Sequence, residues 1–495
     1  PSTPAPAADS ALRTPHSALL KTIADVPHDY HLITTPEERA RLIQDLQGLN
    51  SFCFDVETTD IDPKQARLLG IAFCYQPHVA FYVAMSDKPE ETALILEQFR
   101  PLFESERGEK VGHNLKYDIS VLQWHGLRVR GKLFDTMIAH SLIEPDMRHG
   151  MDYVSEVYLG YAPIPITKLI GEKKAEQRTL ADVPVPAVAE YSAEDADVTW
   201  QLRFALEPLL RQKGQERVFY ELEAPLLPVL VDMEYEGIRV DAAALADCAN
   251  QLAKEMAGLD ARICQLAKTT FNLNSPRQLG EILFDQLKIS PNPKRTRTGQ
   301  YATDEQTLMT LAADHEIVRL LLEHRAASKL KSTYADALPL AIFPKTGRVH
   351  TTYQQTATAT GRLNSQNPNL QNIPIRRESG QEIRKAFVPR SPEYRLLSAD
   401  YSQIELRTIA ALSREPALLE AFHSGADVHT ATAARVYGVP TDQVSSEMRR
   451  KAKMVNYGIA YGISAFGLAQ RLGIPRGEAA EIIDNYFKQF SGIRG

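Results

Sequence analysis

Four acidic residues and a tyrosine in the first half of the chain have the types and spacing of a site that hydrolyses phosphodiesters. In SFCFDVETTD, the alternation of side chains along a strand puts Asp55 and Glu57 on one face. Asp118 follows in NLKYD, and Tyr191 and Asp195 lie one helical turn apart in YSAEDADVT. Paired divalent ions held by such carboxylates can activate a water and stabilise a leaving oxygen. The set therefore indicates a two-metal phosphodiesterase.

Each of these acids also has an ordinary structural explanation. An acidic pair at a strand end usually faces solvent, Asp118 could cap a helix, and Asp195 could be a salt-bridge partner. The ordered set carries more weight than any one member.

A second segment, RRKAKMVNYGIAYG, is cationic at its start and aromatic towards its end, and this order suits the binding of a nucleoside triphosphate. At helical pitch one face carries two cations and then two aromatic rings: Arg449, Lys453, Tyr457 and Tyr461. Phosphates would bind the cationic end, and a base and sugar the aromatic end. The alternative is a surface helix with an amphipathic stripe. Gly458 and Gly462 inside that helix each cost roughly 1 kcal/mol of helix stability relative to Ala. Such a cost favours the ligand-binding interpretation, because glycine lets a ligand approach the backbone closely.

Composition limits the possible function classes. A length of 495 residues suggests roughly three domains of a soluble globular protein. The net charge of −6 argues against nucleic acid as a partner, so local cationic clusters matter more than the total. The clusters are compatible with a phosphate-tracking surface, and they comprise Lys294, Arg295 and Arg297; Lys329 and Lys331; Arg376 and Arg377; Arg384 and Lys385; and Arg449 to Lys453.

Cysteine spacing fits a reducing cytoplasm, and hydropathy indicates no membrane span. Neither CxxC pairing nor zinc spacing is found among Cys53, Cys74, Cys248 and Cys264. No apolar run approaches the roughly 20 residues of a membrane span, and no signal peptide opens the chain. The first residue is Pro rather than Met, so we expect a fragment of a longer protein.

The elements that must position the acidic residues belong to an α/β region. Residues 1–24 are rich in Pro, Ala and Ser and predict a flexible linker. From about Val26 to Gln212, strand patterns such as SFCFDVET and LLGIAFCY alternate with helical patterns such as ETALILEQF. This alternation predicts an α/β domain.

The rest of the chain is predicted to be mainly helical. Long helices are predicted at Asp241 to Thr269 and Glu305 to Tyr334, on either side of a basic tip, ISPNPKRTRTGQ. From about Lys345 short strands mix with helices, and the chain is predicted to be helical from Gln403 onward.

Three further motifs, read together with RRKAKMVNYGIAYG, identify a family. They are TATGRLNSQNPNLQNIP at Thr358 to Pro374, SADYSQIELR at Ser398 to Arg407, and ADVHTATA at Ala426 to Ala433. In this order they resemble the bacterial DNA polymerase I family, in particular its large fragment, from about Val26 onward. That fragment carries a 3′–5′ proofreading exonuclease followed by a family A polymerase.

For the first half, the resemblance implies an RNase H-like exonuclease domain with a two-ion site. The implied metal ligands are Asp55, Glu57 and Asp195 for the tighter ion, and Asp55 and Asp118 for the second. Tyr191 would orient the attacking water. Ile61 stands where the family can have Leu against the 3′-terminal base, and it would serve as an apolar wedge.

For the second half, the resemblance implies a right-hand polymerase. A strand ending in RLLSAD would deliver Asp400 to bind both magnesium ions, and Glu405 would exclude ribonucleotides at the sugar. The other implied contacts are His429 and Arg449 to phosphates, Lys453 to the transferring group, Tyr457 and Tyr461 to the base and sugar, and Arg362 to the minor groove. Glu405 could also be a plain helix residue, His429 a satisfied core histidine, and Arg362 a loop salt bridge.

The implied fold is an α/β and α+β multidomain protein, truncated at its end. Its segments are a linker at 1–24, an exonuclease domain at 25–212, the start of the polymerase domain (mainly thumb) at 213–344, part of the palm at 345–410 and part of the fingers at 411–495. The expected cofactor is Mg²⁺, two ions per site, with Mn²⁺ or Zn²⁺ as alternatives in the exonuclease site. The expected partners are primer–template DNA, a single-stranded DNA 3′ end and dNTPs, for a cytoplasmic, nucleoid-associated monomer without membrane contact.

One departure from the family concerns the polymerase site. The family has a second catalytic aspartate in a His-Asp-Glu turn beyond the Arg449 helix, and no such turn occurs here. Asp314–His315–Glu316 has the wrong order and is predicted to be helix surface. We expect a truncation or a longer polypeptide, doubtful polymerisation by this chain, and instability of the Asp400 strand without its sheet neighbours.

Three hypotheses follow from the sequence. The first is a template-directed DNA polymerase with proofreading, for replication and repair. The second is an exonuclease whose polymerase half acts as a DNA clamp. The third is a non-catalytic nucleic-acid-binding module, which the four intact exonuclease carboxylates disfavour.

Overall fold

The computed structural model of the chain describes residues 20–172, 177–373 and 378–494. The chain divides into two compact units, Pro1–Arg395 and Leu396–Gly495. None of the described helices combines the length and the apolar character needed to cross a membrane.

A mixed sheet forms the centre of the first region. Its strands are β1 (Asp29–Ile33), β2 (Ser51–Thr58), β3 (Leu68–Gln76), β4 (Val79–Ala84), β5 (Glu109–Gly112) and β6 (Leu133–Asp135). Among the described residues their order is β1-β4-β3-β2-β5-β6. Strand β2 is interior, because it pairs antiparallel with β3 and parallel with β5. The strands predicted in SFCFDVET and LLGIAFCY are confirmed.

Helices cover this sheet and make the predicted α/β domain. They are α1 (Pro36–Gln47), α2 (Pro89–Phe103), α3 (Leu115–Trp124), α4 (Thr136–Ile143), α5 (Met151–Leu159), α6 (Thr167–Ile170) and α7 (Val185–Gln212). Helix α7 packs across β2, β3 and β4, and its small, fully buried Ala193 and Ala196 let it lie close to the strands. Helix α2 packs on the sheet through Phe99, whose ring stacks on that of Phe73 of β3 at 5.4 Å between centroids.

The remainder of the first unit is mostly helical, with short strand pairs. Its helices are α8 (Glu216–Val218), α9 (Ala224–Glu236), α10 (Ala242–Ala267), α11 (Pro276–Gly280), α12 (Glu305–Leu311), α13 (Glu316–Leu330), α14 (Ala337–Leu340) and α15 (Glu378–Lys385), with π-helical turns at Phe219–Glu223, Glu281–Gln286 and Lys331–Ala335. Its strands are β7 (Arg239–Val240), β8 (Ile342–Phe343), β9 (Arg348–Val349), β10 (Thr352–Gln354), β11 (Asn364–Gln366) and β12 (Phe387–Val388). The Asp241 carboxylate caps α10 by accepting from the Ala243 and Ala244 N–H groups, and the predicted long helix is confirmed there.

The second predicted long helix, Glu305 to Tyr334, is wrong as one element. It is broken between α12 and α13, where His315 has extended backbone angles and begins α13. Leu308 of α12 and Val318 of α13 lie on either side of this break, and both are fully buried in one apolar cluster. Asp314–His315–Glu316 therefore lies at a helix junction rather than on a helix surface, and Glu316 pairs with Arg262 at 3.1 Å.

The linker prediction for residues 1–24 lies mostly outside the described residues and fails for residues 20–24. Lys21 donates its N–H to the Gly160 carbonyl at 3.0 Å, and its own carbonyl accepts from Ala162 at 2.8 Å. A 3₁₀ turn, Ile23–Asp25, follows. These backbone bonds tie the segment to the end of α5.

The second unit is helical, as predicted from Gln403 onward. Its helices are α16 (Ile404–Ser413), α17 (Pro416–His423), α18 (Val428–Tyr437), α19 (Ser446–Ala460), α20 (Ala465–Leu472) and α21 (Arg476–Gln489), with 3₁₀ turns at Thr441–Gln443 and Ser491–Arg494. They enclose an apolar core that includes Leu406, Val428, Val455 and Leu468. Helices α18 and α19 pack closely, which brings their polar residues together.

Candidate functional site

Strand β2 and helix α7 bring three of the predicted acidic residues together. Asp55 and Glu57 project from the same face of β2, and Asp195 approaches them from α7. One oxygen from each of the three carboxylates lies within 4.8 Å of the other two. This is the trio that the resemblance assigns to the tighter metal ion, and its oxygen donors are those that hard divalent cations prefer.

Asp118 joins the cluster from the first turn of α3. It is 3% exposed, and its Oδ1 accepts the backbone N–H of Val56, the residue between the two strand carboxylates, at 2.9 Å. The bond fixes Asp118 against β2 and lies inside the domain. Asp118 is therefore not a helix cap.

Asp135 is a supporting residue that the sequence prediction missed. It is buried at the end of β6, where its carboxylate accepts from Leu115 N at 2.8 Å and from Met137 N at 2.8 Å. One carboxylate thus fixes the start of α3, which carries Asp118, and the start of α4. The signal was available, because an Asp directly after a strand and before an apolar helix is a typical N-cap.

Burial and mutual repulsion disfavour the charged forms of the acidic cluster. Burial raises the pKa of Asp55 to about 7. Burial, reinforced by the negative charge of Asp55, raises the pKa values of Glu57, Asp118 and Asp195 well above the usual range. Within the described ranges, none of the four forms a salt bridge with a basic side chain. A bound divalent cation is the group that such a donor set fits.

Tyr191 lies beside this cluster, one turn before Asp195 on α7. Burial raises the pKa of its phenol, and the negative charges of Asp195 and Glu57 raise it further. The hydroxyl therefore stays protonated and can donate a hydrogen bond at neutral pH.

A cavity of about 290 Å³ lies beside α3 in the same unit. Ile61, which is 93% exposed, lines it together with Lys116 and Tyr353. The Lys116 ammonium contacts Glu234 on α9 at 2.6 Å, and Glu234 also accepts the Tyr353 N–H at 2.7 Å. Glu234 thereby fixes one wall of the cavity.

In the second unit, helix α19 carries only part of the predicted face of two cations followed by two aromatic rings. Arg449, Lys453 and Tyr457 lie on the helix, but Tyr461 is the residue after its end. Gly462 has φ +68, and the Ile463 N–H bonds back to the Gly458 carbonyl at 2.8 Å, which closes the helix.

The prediction that Gly462 lies inside the helix is therefore wrong. The left-handed conformation of Gly462 is the physical reason. The close approach at Gly458 comes from this chain itself, because a Cβ there would lie 2.8 Å from Ile463 Cγ2.

Arg449 and His429 are both engaged by neighbours. The Arg449 guanidinium donates to both oxygens of Asp427, at 3.1 and 2.7 Å, and this hydrogen bonding holds the pKa of Asp427 well below its usual range. His429 is 2% exposed, its Nδ1 lies 3.1 Å from Asn456 Nδ2, and its ring lies 5.7 Å from that of Tyr457. Asn456 was missed, because an Asn inside a helix has no distinctive pattern.

Asp400 is not at the end of a strand, so that prediction is wrong. Among the described residues, 396–400 pair with no other strand, and Leu397 is 92% exposed. The apolar run alone cannot form a strand without a paired neighbour. The negative charges of Glu405, on α16, and of Asp400 nevertheless act on Tyr457, where they add to burial in raising its pKa.

The remaining predicted contacts lie in the first unit. Arg362 is in an exposed loop whose Thr358 hydroxyl donates to the Arg362 carbonyl at 2.8 Å. Of the cationic clusters, Arg376 and Arg377 lie outside the described residues, whereas Lys331 pairs with Asp336 at 2.8 Å. Arg295 of the basic tip lies over the Tyr301 ring at 4.0 Å.

Two protein-family models match the chain. The model described as DNA polymerase family A matches residues 242–495, and that described as 3′–5′ exonuclease matches residues 30–211. The first match covers the helical part and the second the α/β part.

Similar proteins cover most of the chain. DNA polymerase I of Pseudomonas aeruginosa is 42% identical over 477 residues, which are 94% of this chain and 52% of that protein. DNA polymerase I of Geobacillus stearothermophilus is 42% identical over 439 residues, 89% of this chain and 49% of that protein. The chain thus spans about half the length of these curated relatives.

A solved structure has a similar fold. The POL domain of Pol1 from M. smegmatis, in complex with DNA primer–template and dNTP, has a TM-score of 0.80 and 32% identity, over 94% of this chain and 77% of that one. The likeness confirms the predicted fold class, with its exonuclease and polymerase regions.

Proposed function

This chain belongs to DNA polymerase family A, and on that premise we propose that it serves template-directed DNA synthesis with 3′–5′ exonucleolytic proofreading. The observation that carries the exonuclease assignment is the cluster of Asp55, Glu57, Asp118 and Asp195, in which Asp55 is half-buried and the other three are buried. The proposed substrates are primer–template DNA, a single-stranded 3′ end and dNTPs. In support, the similar M. smegmatis domain was solved with primer–template and dNTP.

The carboxylate cluster is the proposed metal site of the exonuclease. Asp55, Glu57 and Asp195 would hold one divalent ion, and Asp55 and Asp118 another. Mg²⁺ is the proposed ion, and Mn²⁺ and Zn²⁺ are the alternatives. When bound, such ions lower the pKa of water and stabilise a leaving 3′-oxygen.

The chain's own side chains bind and orient the substrate. The Tyr191 phenol, which stays protonated, would donate a hydrogen bond to the attacking water. Ile61, at 93% exposure, would pack against the terminal base as an apolar wedge. The adjoining cavity of about 290 Å³ would receive part of the single strand.

For DNA synthesis we assign the nucleotide to the α18–α19 surface. His429 and Arg449 would bind its phosphates, Lys453 would neutralise charge at the transferring group, and Tyr457 would contact the sugar. The other assigned roles are metal binding by Asp400, ribose exclusion by Glu405, base contact by Tyr461 and minor-groove contact by Arg362. Because Asp427 holds Arg449 with two hydrogen bonds, phosphate binding must compete with this carboxylate.

A second candidate function is 3′–5′ hydrolysis alone, with the polymerase half acting as a DNA clamp. One contrast favours it: the exonuclease carboxylates are gathered and three of the four are buried, whereas Asp400 is exposed and on no strand.

A primer assay separates the two functions. A 5′-labelled primer–template is incubated with this chain and Mg²⁺, with and without the four dNTPs. Shortening without dNTPs and lengthening with them supports polymerase plus exonuclease. Shortening under both conditions supports the second candidate, and an unchanged primer under both would contradict both.

Tyr457→Phe is expected to restore discrimination against dideoxynucleotides in an enzyme that extends primers. We infer that the Tyr457 hydroxyl can replace the missing sugar 3′-OH in the polar network of the site. One such hydrogen bond contributes about 1 kcal/mol, so the preference for dNTP over ddNTP should rise by about fivefold to tenfold. The ratio of kcat/KM for the two nucleotides measures it.

The matched control for this prediction is Tyr394→Phe, which removes a phenol hydroxyl from a residue that is 49% exposed. It should leave the ratio unchanged. Equal dideoxy incorporation by the unmutated enzyme and by Tyr457→Phe would contradict the proposed role of the hydroxyl.

A further inference from the structure

A buried hydrogen-bond network behind His429 fixes the position of the Asn456 amide. Asn456 is 1% exposed, and its Nδ2 lies 3.1 Å from His429 Nδ1 and 3.1 Å from Thr432 Oγ1. Thr432, one turn after His429 on α18, donates its hydroxyl proton to the Val428 carbonyl at 2.8 Å. A hydroxyl has one proton, so Thr432 Oγ1 can only accept from Asn456.

This arrangement also assigns the proton on the imidazole. The Asn456 Nδ2 must face Thr432, and its second N–H then points at His429 Nδ1, which must accept. A neutral imidazole has one N–H, so the proton of His429 is on Nε2. A flipped amide would offer an oxygen to both neighbours and force Thr432 to give up its bond to Val428.

We propose that Asn456 is a positioning residue that holds His429 in the Nε2-protonated tautomer, so that Nε2–H is presented to the phosphates of an incoming nucleoside triphosphate. This inference rests on the proposed function and names a residue that prepares its nucleotide site. Nδ1 is occupied by Asn456, which leaves Nε2–H as the donor for a ligand. With the opposite tautomer, a lone pair at Nε2 would repel the phosphate oxygens.

The charged groups around His429 make the tautomer decisive. Burial lowers the pKa of His429, and the positive charges of Arg449 and Lys453 oppose its protonation. Asp427 acts in the other direction, but its carboxylate is paired with Arg449 at 2.7 Å. The ring is therefore neutral at neutral pH and has a single N–H to offer.

Direct observation of the ring tests the tautomer without any change at Asn456. In the full chain with ¹⁵N-labelled histidine, the His429 signals are assigned by their loss in His429→Gln. An imidazole protonated on Nε2 near pH 8 is expected. A ring protonated on Nδ1 would overturn the proposal.

The functional test compares nucleotide affinity in Asn456→Asp and in the unmutated protein. A complementary dNTP with Mg²⁺ is titrated into the chain bound to a dideoxy-terminated primer–template, all in an Asp55→Asn background that preserves the primer. The new carboxylate can only accept, so it stabilises Nδ1–H, and the dNTP Kd near pH 8 should rise about tenfold or more. As the pH is lowered the ring becomes protonated and regains Nε2–H, so the difference in Kd should shrink.

Matched variants separate positioning from packing. Asn485→Asp places the same charge change on an exposed residue of α21 and should leave the Kd unchanged. Combining Asn456→Asp with His429→Ala should add nothing to the loss caused by His429→Ala alone, because both remove one interaction. Asn456→Ala adds no buried charge. It should give a smaller loss of dNTP affinity, and that loss should not shrink as the pH is lowered.

The outcomes distinguish this inference from the proposed function. A dNTP Kd that Asn456→Asp leaves unchanged, or a loss that adds fully to that of His429→Ala, overturns the role of Asn456 alone. No dNTP binding by the unmutated protein overturns the proposed nucleotide site and this role with it.

Discussion

Replacement of Asp55 by Asn is expected to lower the rate of 3′-terminal nucleotide release by about a thousandfold or more. Asp55 is the carboxylate shared by both proposed metal positions, and its loss removes several kcal/mol of transition-state stabilisation, each 1.36 kcal/mol being tenfold in rate. The measurement is single-turnover hydrolysis of a 5′-labelled single strand at saturating Mg²⁺. The variant should still bind the strand in EDTA, because the change removes a negative charge and no DNA contact.

The control for this prediction is Asp87→Asn, which makes the same chemical change at a side chain that is 92% exposed. It should hydrolyse at the unmutated rate. A residual rate in Asp55→Asn within about tenfold of the control would show that the cluster is not the hydrolytic site.

The acidic cluster illustrates how far the sequence could predict a site. Alternation along β2 placed Asp55 and Glu57 correctly on one face, and helical spacing placed Tyr191 and Asp195 together. Both are local consequences of chain geometry. Asp118 accepts the N–H of Val56, which is 62 residues away in sequence. This contact depends on the order of strands in the sheet, so no local pattern predicts it.

The failed predictions have a common physical cause. Helical periodicity continues through Tyr461 and through Ala312 to His315, but helix ends are decided by backbone conformation and by the packing of neighbours. Gly462 adopts φ +68 and ends α19, and the extended backbone of His315 breaks the helix predicted from Glu305 to Tyr334. The strand predicted before Asp400 needed a paired neighbour, which hydrophobicity alone does not supply.

Without divalent ions, the exonuclease region is expected to lose stability as the pH rises from about 4 to about 7. Burial raises the pKa of Asp55 from 3.8 to about 7 in the folded state, so the folded protein binds protons more tightly than the unfolded chain across this window. The stabilisation by this proton is full below about pH 4 and is lost as Asp55 ionises. The difference is on the order of 4 kcal/mol for this group alone. Thermal unfolding in EDTA at a series of pH values measures it.

Saturating Mg²⁺ or Mn²⁺ should reverse this pH dependence, because ions bind the ionised carboxylates of the folded state only. Asp195→Asn provides the sharpest check. By removing one buried negative charge it should raise the unfolding temperature in EDTA near pH 8, and by removing a ligand it should reduce the gain from added metal. A packing role for Asp195 predicts the opposite sign in EDTA, namely destabilisation. Only repulsion among carboxylates gathered for a cation makes a disruptive substitution stabilising without metal and costly with it.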